Sequence, residues 1–191
     1  PMNGVIGMIA LLLDTELTDE QREYVEGVRS SADALLTIIN DILDFSKIES
    51  GKLEFEHQPV DLRACLEESL DLLGAKAGEK QISLELRCPD DLVARVNAPL
   101  LEQAMVNLID NAVKYSPAPT VIEIHAGPDT IEVRDHGPGI APDEQHRVFE
   151  RFYRTDTTRA SPGSGLGLAI VHQIIERHGG QIWARTGPDG G

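Results

Sequence analysis

The sequence predicts an α+β protein: a helical hairpin that pairs into a dimeric four-helix bundle, followed by an α/β sandwich. Three observations predict it. The first 58 residues carry an apolar stripe stepping by three and four, and hold no proline after Pro1. From Pro59 onward, helical periodicity and strict alternation succeed one another. Two glycine-rich loops interrupt the second half.

The hairpin comes first. Val5, Ile6, Ile9, Leu12 and Leu13 form the apolar face of a short helix. After the brief connection at 14–19, Thr18 and Gln21 make a capping box for a longer one. Its stripe is Val25, Val28, Ala32, Leu35, Ile39 and Ile42, the seam of a helix packed on other helices. Ser50-Gly51 supplies its end. So short a connection folds the helices back on each other, and a dimeric four-helix bundle buries both apolar faces. A helical pair packed within one chain on the second domain is the alternative.

In the second part, Leu66, Leu70, Leu73 and Ala77 mark a helix, and Ile82, Leu84, Leu86 and Cys88 alternate as a strand does. Leu101, Ala104, Met105, Leu108, Ile109, Ala112 and Val113 give the next helix its apolar face, with Pro99 near its start. Strands are expected around 120–125, 130–134 and 181–185. The last follows a helix reaching about His178, which Gly179-Gly180 stop. His178 itself reads as a helix-end residue favouring the macrodipole.

Composition narrows the function classes. The 191 residues are 41% hydrophobic but only 4% aromatic, so the core is aliphatic. With 32 acidic against 17 basic residues, the net charge of −15 argues against nucleic-acid binding. The first 58 residues alone hold 12 acidic and 4 basic residues. Cys65 and Cys88 have no His or Cys at metal spacing and read as reduced thiols of a cytoplasmic protein. The longest apolar stretch, 5–13, is too short to cross a bilayer, so any membrane association belongs to a sensor upstream.

Four segments can carry chemistry. Asn107, Asn111 and Lys114 fall at i, i+4 and i+7, on one helical face. An amide oxygen suits Mg²⁺ and an ammonium suits phosphate; solvent-facing polar residues are the alternative. In the segment Val133 to Ile140, a strand delivers Asp135 into a turn containing Gly137 and Gly139. An ionised Asp accepts hydrogen bonds, including one from an adenine amino group. An Asx-type turn explains the same residues. Gly163-Ser164-Gly165-Leu166-Gly167-Leu168 runs into a helix, whose N-terminal N–H groups favour phosphate. No Gly-Lys-Ser/Thr follows and no strand precedes this loop, so it is neither a Walker A loop nor a dinucleotide fingerprint. Between the two loops, Phe149-Glu150-Arg151-Phe152-Tyr153-Arg154 offers aromatics to seat the chain and two arginines to reach phosphate. The small polar residues of 155–163 suit a lid, although an ordinary amphipathic turn also fits.

The order and spacing of these segments resemble the ATP-binding domain of histidine kinases, in the group that includes DNA gyrase B, Hsp90 and MutL. Residues 107–114 match the N box, 135–139 the first glycine box, 149–154 the F box and 163–167 the second glycine box. Pro1-Met2-Asn3-Gly4 is similar to the tail of the H box, and 38–52 to the second helix of the dimerisation domain. The resemblance implies a Bergerat-type α/β sandwich over 59–191 behind a dimerisation and phosphotransfer hairpin over 1–58, joined by a hinge at 51–60. It implies ATP and Mg²⁺, with Asn111 ligating the metal and Asn107 near the triphosphate. Lys114 and Arg151 would contact phosphate, with Asn107, Lys114 and Arg151 as the catalytic set. Tyr115 would pack beside the nucleotide and Asp135 would take the adenine amino group. Gly137, Gly139, Ile140, Arg154 and the loop from Gly163 through Ser164, Gly165, Leu166, Gly167 and Leu168 would complete the nucleotide site.

The implied reaction moves the γ-phosphoryl group of ATP to a histidine, then to an aspartate of a response-regulator receiver domain. The implied acceptor lies five residues before Pro1, and one further strand follows 187–191. The gyrase and Hsp90 ATPases carry Glu where this chain has Asn107, which favours transfer over hydrolysis. A non-catalytic dimerising scaffold and a serine kinase on the same ATP domain are the other readings.

Overall fold

A computed structural model describes residues 2–49, 56–155, 157–158 and 163–187. Helices α1 (Met2–Leu13) and α2 (Asp19–Glu49) form the hairpin. The second part runs β1 (Gln58–Asp61), α3 (Leu62–Glu79), β2 (Ile82–Arg87), β3 (Val93–Val96), α4 (Ala98–Tyr115), β4 (Thr120–Ala126), β5 (Ile131–Arg134), a 3₁₀ turn at Arg147–Phe149 and α5 (Gly167–Arg177).

The capping box at α2 forms as its sequence dictates. The Thr18 N–H donates to Gln21 Oε1 at 3.0 Å, and the Gln21 N–H donates back to Thr18 Oγ1 at 3.2 Å. Asp61 and Asn97 cap α3 and α4 by a single bond each, accepting from the N–H groups of Ala64 and Leu100. The proposed stop of α2 at Ser50-Gly51 and the first half of the hinge lie outside the described residues.

Strand β4 is central in a three-stranded sheet ordered β2-β4-β5, parallel to β2 and antiparallel to β5. Ile82, Leu84 and Leu86 stand opposite Thr120, Ile122 and Ile124. Helices α3 and α4 cover this sheet. Leu62, Leu66, Leu73, Ala77, Met105, Ile109, Ala112 and Val113 close on Ile122 and Ile124 in one aliphatic core. Each of the larger side chains among these, when fully buried, contributes about 1.5–3 kcal/mol of hydrophobic free energy. Cys65 and Cys88 are buried free thiols, and burial pushes Cys65 up to about 11.

Sequence periodicity missed β1 and β3, which pair antiparallel as a separate two-stranded sheet. Each is only four residues long, and Pro59, which cannot donate to a ladder, breaks the strand signature of the first. The strand expected at 181–185 does not form: among the described residues this segment joins no sheet. Its residues alternate between exposed and half-buried. Alternation reports which side faces the core, whereas a strand also needs a partner backbone within hydrogen-bond reach.

A second core joins the two parts. Phe45 and Ile48 of α2 pack with Leu100 and Ala104 of α4 and with Leu166, Ile170 and Ile174 at α5. Gln103 donates to Asp44 at 3.0 Å beside it. Thus the lower end of α2 follows the intramolecular alternative. Most of the seam does not: Val28, Leu35, Ile39 and Ile42 stay exposed, as do Val5, Met8, Leu11 and Leu12 on α1.

His178 plays a different part from the one expected. Its Nδ1 lies 2.8 Å from the Ile174 carbonyl oxygen and its Nε2 accepts the Asn97 N–H at 3.0 Å. A ring that donates from one nitrogen and accepts at the other is neutral. Burial holds its pKa below the ordinary value, the Ile174 bond opposes that, and neighbouring His57 lowers it further. His178 therefore ties the end of α5 to the start of α4 as a neutral ring, not as a charge on the helix dipole.

Candidate nucleotide site

Helix α4 supplies the floor. Its apolar residues are fixed in the core, so Asn107, Asn111, Lys114 and Tyr115 emerge half-buried on the remaining surface. The second glycine loop lies directly against that face. A Cβ on Gly167 would stand 3.5 Å from Asn107 Oδ1 and 3.8 Å from Asn111 Nδ2, and one on Gly163 only 2.8 Å from Lys114 Nζ. Gly165 sits at φ +72 with the Phe152 backbone 2.9 Å from where its Cβ would be. Positive φ and close approach together restrict that position to glycine. The Phe152 N–H completes the contact by donating to the Gly165 carbonyl at 3.0 Å.

The first glycine loop meets the C-terminal end of α4, next to Lys114. Asp135 Oδ1 accepts the Gly137 N–H at 2.7 Å, the Asx-type arrangement. That bond uses one carboxylate oxygen of two. The turn is held to α4 by the His136 N–H, which donates to Ser116 Oγ at 3.2 Å. A Cβ on Gly137 would lie 3.4 Å from Tyr115 Cβ. Gly139 takes φ +69, and Ile140 exchanges two hydrogen bonds with Thr186 Oγ1, at 2.9 and 2.7 Å. Asn107, Asn111, Lys114, Tyr115, Asp135, Gly137, Gly163 and Gly167 therefore line one continuous region.

Several expected members stand apart from it. The Arg151 guanidinium turns to the hairpin, donating to Glu49 Oε1 at 2.6 Å and lying 4.0 Å over the Phe45 ring. Arg154 donates to the carbonyls of Gly163 and Thr158, so it braces the loop it was expected to assist. Ser164 Oγ donates to Asp41 Oδ2 at 2.5 Å and accepts the Leu166 N–H at 3.1 Å. The side chain of Leu166 is 1% exposed and belongs to the core, while Leu168 is half-buried on α5. In the F box, Tyr153 seats the chain through Glu144 at 2.6 Å and Phe149 stacks on His172. Phe152, at φ 62, is instead exposed.

Some contributors escaped the sequence reading. Asp41 and Glu49 of α2 engage the loop and the F box, and burial raises the Asp41 pKa despite the bond from Ser164. Lys80 donates to the carbonyls of Val113, Lys114 and Ser116 at the end of α4. Periodicity carries no signal for partners so distant in sequence.

Known proteins share this arrangement. Residues 96–191 match the family described as histidine kinase-, DNA gyrase B- and HSP90-like ATPase, and residues 1–51 match the His Kinase A (phospho-acceptor) domain. The signal transduction histidine-protein kinase BarA of Escherichia coli strain K12 is 38% identical over 100% of this chain and 22% of its own length. The circadian input-output histidine kinase CikA of Synechococcus elongatus is 39% identical over 95% of this chain and 26% of its own. This chain thus spans a minor part of those relatives. Among solved structures, full-length ShkA in complex with AMPPNP superposes with a TM-score of 0.73 at 36% identity, over 96% of this chain and 39% of that one. The mycobacterial sensor histidine kinase MprB gives 0.58 at 34% identity, over 66% and 83%. With an ATPase-type domain built around α4 and a phosphoacceptor-type hairpin before it, this chain belongs to the sensor histidine kinases.

Proposed function

We propose that this chain is the kinase core of a two-component signalling protein. It binds ATP with Mg²⁺ and transfers the γ-phosphoryl group to a histidine of the helical hairpin, from which the group passes to a receiver-domain aspartate. The observation that carries this reading is the convergence of Gly163 and Gly167 on the Asn107–Asn111–Lys114 face, with Asp135 at the C-terminal end of the same helix.

Asp135 accepts the adenine amino group with the oxygen not used by Gly137. Tyr115 packs beside the base, and Lys114 neutralises phosphate charge. The metal fits the donor chemistry. Among the described residues no cluster of three His, Cys, Asp or Glu side chains exists to cage an ion. A single amide from Asn111 suits Mg²⁺, which keeps its waters and shares phosphate oxygens. Bound there, the ion would neutralise charge on the transferring group. An imidazole nitrogen attacks the γ-phosphorus, the bond to the β-bridging oxygen breaks, ADP leaves, and the imidazole proton goes to solvent. Such transfer depends on positioning and charge neutralisation. Asn107 cannot act as a base towards water, so ATP hydrolysis is slow.

A homodimer through residues 1–58 is part of this proposal. The exposed seam of Val28, Leu35, Ile39 and Ile42, with Met8 and Leu11, supports it. The β1–β3 pairing supports a catalytic domain beginning at about 59. No described helix is long and apolar enough to cross a membrane, and we place the core in the cytoplasm, where ATP is available.

The test is a chain extended upstream and incubated with γ-labelled ATP. We expect label on protein that is stable to alkali and released by acid, as phosphohistidine is. Rapid release of free phosphate with no labelled protein would contradict the reading.

A further inference from the structure

We infer that Lys80 is a positioning residue for adenine selection, acting through the C-terminal end of α4. The inference rests on the proposed role of Asp135.

The last carbonyls of a helix have no partner within it. At α4 these carbonyls include that of Lys114 and bracket Tyr115, two of the proposed nucleotide contacts. Lys80 follows the last turn of α3, where its own N–H caps the helix by donating to Ala77 at 3.0 Å. Its side chain then crosses to α4. Nζ lies 2.7 Å from the Val113 carbonyl oxygen, 3.0 Å from that of Lys114 and 3.3 Å from that of Ser116. An ammonium has three N–H donors, and here there are three acceptors. A positive charge at a helix C-terminus is also favoured by the dipole. One turn earlier, Lys76 pairs with Asp110 of α4, so the two helices are tied twice.

The consequence travels through two neighbours. Tyr115 lies between two of the bonded carbonyls and packs on Gly137. Ser116 Oγ accepts the His136 N–H at 3.2 Å, adjacent to Asp135. Lys80 thus fixes the end of α4, and that end fixes the turn from which the Asp135 carboxylate must meet the base. Asn107 and Asn111 lie further back on the helix and make none of these contacts. Lys80 touches the phosphate side only through the Lys114 carbonyl, so its main effect falls on the base end, through Tyr115 and Ser116. Adenine offers an amino donor where guanine offers a carbonyl acceptor, so a well-placed Asp135 prefers ATP over GTP, and a displaced one loses that preference.

The experiment compares affinities for non-hydrolysable ATP and GTP analogues with Mg²⁺ in the parent chain, Lys80→Met, Lys80→Arg and Ser116→Ala, each with its thermal midpoint. Lys80→Met should weaken ATP-analogue binding about tenfold, as loss of a charged hydrogen-bonding group does. It should weaken the GTP-analogue binding much less, so the preference narrows. Lys80→Arg retains charge and donors and should recover most of the preference. Ser116→Ala cuts the link from the other side and should narrow the preference in the same sense. Equal weakening towards both nucleotides, or none, in a folded Lys80→Met chain would overturn the inference. If Lys80→Met does not fold, an unchanged preference in Ser116→Ala would overturn it, and a narrowed one would support it. Failure of the parent chain to bind either analogue would instead sink the nucleotide-site reading itself.

Discussion

The two ends of the nucleotide site are held in different ways. At the base end, every contact comes from within the catalytic domain: Asp135 to Gly137, His136 to Ser116, Ile140 to Thr186 and Lys80 to the end of α4. At the proposed phosphate end, two of the polar groups are partnered by the hairpin instead. Arg151 is held by Glu49 and Ser164 by Asp41. The difference teaches that the turn carrying Asp135 is held within the catalytic domain, whereas the segment around Arg151 and Ser164 is tied to the hairpin. Carboxylates of α2 thus sit on two groups proposed for the triphosphate, and under that proposal the hairpin competes with the nucleotide for them.

The sharpest break between the two ends comes from Asn111→Ala. Removing the amide proposed to hold Mg²⁺ should reduce phosphoryl transfer about a hundredfold, the size expected when a charge-stabilising group is lost. Adenosine affinity should stay unchanged, because the base end is separate. Comparing labelled phosphoprotein formation with adenosine binding in one variant checks this, and an equal loss in both would merge the two ends.

A smaller effect of opposite sign is expected from the hairpin side. Glu49→Gln should raise ATP-analogue affinity about two- to fivefold, since an exposed ion pair contributes little. The gain should shrink as salt screens the pair in the parent chain. Asp41→Ala should act in the same direction through Ser164. Titrations at low and high salt test both, and weaker binding in these variants would show that the hairpin assists the phosphate end instead of competing with it.

The smallest effect concerns the α4–α5 junction. The His178 pKa is depressed in the folded chain, so the neutral ring contributes stability that is present above the ordinary histidine pKa of about 6.5 and is lost as pH falls through the depressed value. The reason is direct: a proton on Nε2 would displace the Asn97 N–H. Thermal midpoints of the parent chain should therefore fall more steeply than those of His178→Gln as the pH drops below about 6.5. Parallel profiles would remove His178 from the account.

Legibility followed the same division. Helix α4 was readable because a 3.6-residue period separates its core side, Ile109 and Val113, from its site side, Asn107 and Asn111. The Asp135 turn was readable from one strand and two glycines. Lys80 and Ser116 were not, because their partners lie 36 and 20 residues away and sequence patterns describe neighbours. Still less readable were Asp41 and Glu49, whose contacts span 123 and 102 residues. Arg151 was read as a phosphate contact; its partner in this structure is the Glu49 carboxylate of the hairpin. In the fold, four-residue strands such as β1 and β3 are too short for alternation to stand out. The segment at 181–185 alternates without pairing.

The central claim is that this chain binds Mg·ATP with Asp135 selecting the base. Calorimetric titration of the parent chain with a non-hydrolysable ATP analogue and Mg²⁺, beside Asp135→Ala, tests it most directly. The account predicts saturable one-site binding that Asp135→Ala loses while keeping the same unfolding midpoint to within a few degrees. Equal binding by the two chains, or none by a folded parent chain, would contradict it.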